Sequence, residues 1–144
     1  MANKVEKSFI ERVLEFINGG EEASVKTIQR TAIKKWKKQI ETKELRIAEI
    51  KRALEYEVNE QQEYLEDAKV ALVESYLNID AEVKGKDNVD AYVSDQYEYQ
   101  IASAKGAVEK HTKRIESLQT SANAAVEKLE KEIASYKSDI EAIS

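Results

Sequence analysis

Few side chains in this sequence are of a type to do bond chemistry, and their spacing points to contact instead of catalysis. The single histidine, His111, stands between Val108 and Ile115, and there is no cysteine. Zinc and iron centres draw on several His or Cys donors, so His111 reads as a packed or partner-facing side chain. The sequence has no HExxH, no Glu-x-x-His pair, no glycine-rich phosphate loop and no G-x-S-x-G elbow. No catalytic, metal-binding or cofactor-binding residue is assigned, and the expectation is a protein that is not an enzyme.

Three other groups have spacing suited to recognition. Lys34, Lys35, Lys37 and Lys38 surround Trp36 in "AIKKWKKQIETK". Basic residues around an aromatic can neutralise phosphates and stack a base, yet they also form the solvated border of a buried stripe or meet an acidic protein. A net charge of −5 disfavours nucleic acid. The second group is "KGKDNVDAYVSDQYEYQ", residues 84–100, where Asp95, Tyr92, Tyr97 and Tyr99, with Tyr76 upstream, gather near a turn. Tyrosine combines a rigid apolar face with a polar end and is enriched in binding hot spots. The competing reading has Tyr76, Tyr92 and Tyr97 capping a hydrophobic stripe, with Tyr99 alone exposed. Asp80, Glu82, Asp87 and Asp90 do not match the ligand spacing of an EF-hand loop. The third group is Phe9, Val13 and Phe16, the large side chains of an N-terminal apolar stripe. That stripe carries three basic and three acidic residues within 1–20, a balance better suited to docking on protein than on anionic lipid.

The elements that position these groups are helices. The chain of 144 residues has no proline, four glycines and 35% charged residues, a composition that suits long uninterrupted helices. Val5, Phe9, Ile10, Val13, Leu14, Phe16 and Ile17 recur at helical spacing, and Asn18, Gly19 and Gly20 end the pattern. A short amphipathic helix is therefore predicted over 1–18. From residue 21 to 79 a second stripe runs through Ile33, Trp36, Ile40, Lys43, Ile47, Ile50, Leu54, Val58, Gln61, Leu65, Ala68, Leu72, Tyr76 and Ile79. Its steps mostly alternate between three and four, which makes it a coiled-coil seam, and the consecutive fours across Leu54 and Val58 are a stutter that should locally unwind any supercoil. Lys43 and Gln61 break it and read as register-setting polar positions.

A matching seam runs through Ile101, Ala104, Val108, His111, Ile115, Leu118, Ala122, Ala125, Leu129, Ile133, Tyr136, Ile140 and Ile143, on a helix predicted over 90–143. Asp80, Gly85, Asp87 and Asn88 mark the connection. The fold predicted is all-α: a short N-terminal amphipathic helix at 1–18, then a long antiparallel two-helix coiled-coil hairpin over 21–144 with its turn near 80–90. Each arm would be roughly 80 Å long. If the chain folds back at Gly85, residue i faces about 170 − i, which pairs Trp36 with Ile133, Ile47 with Ala122 and Val58 with His111.

Charge is unevenly distributed. Residues 21–52 sum to +5 and 53–100 to −10, so the hairpin would be a rod with a basic open end and an acidic tip, able to pack against copies of itself. No stretch is apolar enough for a signal peptide or a transmembrane span, so the expected setting is intracellular and soluble, or a particle assembled there. A two-helix core is thin and asks for covering. The function these features suggest is structural or adaptor: helical protein–protein contacts within a larger assembly, such as a virion or secretion-machine component or its assembly chaperone, including self-association. The alternatives are a small regulatory binding module or inhibitor acting through the tyrosine-rich acidic tip, and nucleic-acid binding through the basic region around Trp36.

Overall fold

The computed structural model describes residues 22–83 and 91–144. Two helices account for them, α1 at Glu22–Val83 (62 residues) and α2 at Ala91–Ile143 (53 residues), and they form an all-α helical hairpin. The predicted N-terminal helix at 1–18 and the turn centred on Gly85 lie outside the described residues. Helix α1 runs four residues past its predicted end at Ile79, because Asp80 alone does not stop a helix and the next strong breaker is Gly85. Hydroxyl residues within the helices are accommodated by donating to the carbonyl four residues back. Thr31 Oγ1 bonds to Thr27 O at 2.8 Å, Ser75 Oγ to Ala71 O at 2.9 Å and Thr112 Oγ1 to Val108 O at 2.8 Å.

The hairpin divides into two compact units, one of residues 22–50 with Ala124–Ser144, the other Lys51–Asn123. In Lys51–Asn123, Gln61 meets His111, and further along α1 Asn78, Ala81 and Glu82 share a shallow groove with Tyr97 and Gln100. Position rises along α1 as it falls along α2, so the two helices run antiparallel. In the other unit Lys43 reaches Glu132 and the ring of Tyr136.

Side-chain burial follows the seams. Every predicted seam residue of α2 from Ile101 to Ile143 is buried or half-buried, as is every one of α1 from Ile33 to Leu72. Tyr76 is the exception. It is 47% exposed, and Ser75 takes the seam position between Leu72 and Ile79. The steps 65, 68, 72, 75, 79 keep the alternation of three and four that a continuous seam requires, whereas Tyr76 lies about 100° round the helix from Ser75. The core is thin, as a two-helix cross-section implies. Ile28, Ala32, Ile40, Ile133 and Ile143 are buried in the first unit and Ala68 in the second, and no large side chain among the described residues is fully enclosed. No helix among these residues is long and apolar enough to cross a membrane.

Candidate functional site

The polar residues of the α1 seam each meet a polar partner on α2. Lys43 Nζ lies 2.7 Å from Glu132 Oε2 and 5.9 Å from the centroid of the Tyr136 ring, so the ammonium is held by a carboxylate on one side and an aromatic face on the other. The hydrogen bond to Glu132 raises the Lys43 amine above the ordinary lysine value, against a smaller opposing effect of burial. The same bond lowers the Glu132 carboxyl.

In the other unit His111 Nδ1 stands 2.8 Å from Gln61 Oε1. With the amide oxygen toward the ring, Nδ1–H donates to it, an arrangement the imidazolium form also permits. The Tyr64 ring packs against His111 at 5.6 Å between centroids, tilted by 37°. The Tyr64 hydroxyl donates to Glu60 Oε1 at 3.1 Å, and that bond first, then the charge of Glu60, pushes the phenol above its ordinary value. His111 was expected opposite Val58; its partner Gln61 lies about one helical turn further along α1, so the fold-back register is offset by that turn. The offset brings two polar seam residues together.

Of the tip residues, Tyr76 and Tyr99 are exposed, at 47% and 77%, and Asp95 is exposed beside them in sequence. Tyr97 is half-buried and lines the groove with Asn78, Ala81, Glu82 and Gln100. The side chain of Tyr92 lies outside the described residues. An exposed Tyr76 does not serve as a cap on the seam. Lys34, Lys35, Lys37 and Lys38 are all exposed, while Trp36 between them is half-buried on the seam. That placement is the one a solvated border of the seam would have. Phe9, Val13 and Phe16 lie outside the described residues. Among those described, no cluster of His, Cys, Asp and Glu is arranged to hold a metal ion.

One group escaped the sequence reasoning. In Lys51–Asn123, α1 exposes Val70, Val73 and Leu77 at 49%, 56% and 62%, and in the other unit it exposes Leu45 at 61%. Steps of three and four put Val70, Val73 and Leu77 on one face of the helix, away from Leu72, Ser75 and Ile79. The signal was present as a second three-and-four spacing offset from the seam, and the stronger seam pattern hid it. No protein-family model, curated protein or solved structure matches this chain.

Proposed function

We propose that this protein is a non-enzymatic structural or adaptor protein that works through helical protein–protein contacts. The observation that carries this is the pairing of a thin core with exposed apolar side chains on one helical face. Val70, Val73 and Leu77 are about half exposed or more, while only six hydrophobic residues among those described are buried. Single exposed hydrophobes are ordinary on any protein, but three at helical spacing form the kind of stripe that a partner helix covers. The seam's own polar groups support the same reading, because Lys43 with Glu132 and Gln61 with His111 are engaged with each other and serve register.

The test is the size of the species formed by the tagged full chain isolated from the cells that make it, compared at low and high salt. A stoichiometric complex larger than one chain is expected. A chain that stays single in both states overturns the proposal.

A second reading, a small regulatory module acting through the tip, draws on the exposure of Tyr76 and Tyr99 and the groove lined by Tyr97. It is separated from the first by substituting Tyr76 and Tyr99 with alanine, which would abolish binding of a regulated partner while leaving helix-face association intact.

A further inference from the structure

We propose that the exposed outer face of α1 is a docking surface for the α1 helix of a second copy of this chain, laid antiparallel; this rests on the protein-contact reading above and names its partner. The apolar face of Lys51–Asn123 is bordered by acid. Stepping by threes and fours from Val70, Val73 and Leu77 reaches Glu66 on one side and Asp80 on the other, both exposed. The corresponding face in residues 22–50 is Lys38, Glu41, Leu45 and Ala48, all exposed, and the next step is exposed Arg52.

Set antiparallel, the two faces match layer by layer. Leu45 meets Val73 and Ala48 meets Val70, giving two apolar layers. Lys38 meets Asp80 and Arg52 meets Glu66, giving a layer of opposite charge at each end. Glu41 opposite Leu77 is an unfavourable layer, and past Arg52 and Glu66 the same register sets exposed Glu55 against exposed Glu63, a like-charge layer that the flanking layers must outweigh. In every layer a position entered by a step of four faces one entered by a step of three, the relation that holds across an antiparallel helical seam. An acidic face with an apolar centre calls for a basic amphipathic helix, and this chain carries one in the matching register.

The absence of cysteine from the chain makes a direct test available, since any thiol is one that was introduced. Single-cysteine variants Leu45→Cys and Val73→Cys of the full chain are mixed and oxidised, with Tyr99→Cys as the control thiol, more exposed than either and on α2. The proposal expects a disulfide-linked pair from L45C with V73C, at least about tenfold in excess of L45C with Y99C, because disulfides form only when the two Cα atoms come within about 7 Å. A charge exchange gives a second readout. Arg52→Glu and Glu66→Arg should each weaken association about tenfold by sedimentation, and R52E/E66R should restore it to within about threefold. Equal cross-linking to Y99C, or a charge exchange that fails to restore association, overturns the proposal. Those failures would coexist with a large complex containing a different protein, which would leave the structural or adaptor reading standing.

Discussion

Nδ1 of His111 lies 2.8 Å from Oε1 of Gln61, so the two polar residues that interrupt the seams of Lys51–Asn123 satisfy each other. A half-buried amide facing an aliphatic side chain would lose that partner, and so would the imidazole.

The energetic consequence is coupling. Gln61→Leu and His111→Leu should each destabilise the chain by about 1 kcal/mol, because each leaves one polar group short of its bond. The double variant should lose less than the sum, or gain stability, since two leucines extend the apolar seam. Urea unfolding of the four proteins measures the coupling directly. Strictly additive losses would mean that the contact contributes nothing beyond its separate members.

Lys43 and Glu132 predict a pH dependence whose sign follows from their shifts. The lowered Glu132 carboxyl contributes stability that is whole above the ordinary glutamate value and is lost as pH falls through the lowered one. The raised Lys43 amine contributes stability that is whole below the ordinary lysine value and is lost as pH rises through the raised one. Both contributions are therefore present between about pH 5 and pH 10. Glu132→Gln should lower the urea midpoint by a constant amount across that window, and the gap to the parent should close as pH falls through the lowered Glu132 value. Salt should shrink the gap, because both side chains are partly exposed, at 21% and 38%. A gap that ignores pH would show that the effect of the substitution is not electrostatic.

Ser75 and Tyr76 exchange the roles their sizes suggest. If Ser75 holds the seam, Tyr76→Ala should change stability by less than about 0.5 kcal/mol, while Leu72→Ala, one seam step earlier, should cost on the order of 2 kcal/mol. Thermal unfolding of the two variants separates them. A costly Y76A would return the tyrosine to the seam.

Trp36 is the only tryptophan, so its fluorescence reports on the basic stretch alone. Half-buried on the seam between exposed lysines, it should keep its emission when a single-stranded oligonucleotide is added at low salt. Quenching by the oligonucleotide, reversed by salt, would place a base on the indole and favour a nucleic-acid role.

How much of this was legible follows from where the information resides. Seam membership from Ile33 to Leu72 and from Ile101 to Ile143 could be read because a period of three and four is local to each helix. The pairing between helices was less legible. Placing His111 against Val58 needed the length of the connection, and in Lys51–Asn123 the partner of His111 is Gln61 instead. The error at Tyr76 had another cause, since an aromatic outweighs a serine in any hydrophobic count although spacing favoured Ser75. The outer face at Val70, Val73 and Leu77 was passed over because one apolar stripe was taken to be enough for one helix.

Gly106 lies within α2, exposed, and a Cβ built on it would meet nothing within 4 Å. An interior helical glycine costs roughly 0.5–1 kcal/mol relative to alanine, through the greater freedom of its unfolded backbone. Since the folded chain has room for the methyl group, Gly106→Ala should raise stability by about that amount, or the melting temperature by roughly 2–4 °C for a chain of this size. A destabilised G106A would contradict the open space around the position. The more informative outcome joins stability to binding. If G106A melts higher yet associates less well, the glycine serves as a point of close backbone approach by a partner, because only a surface pressed against the helix would register one added methyl.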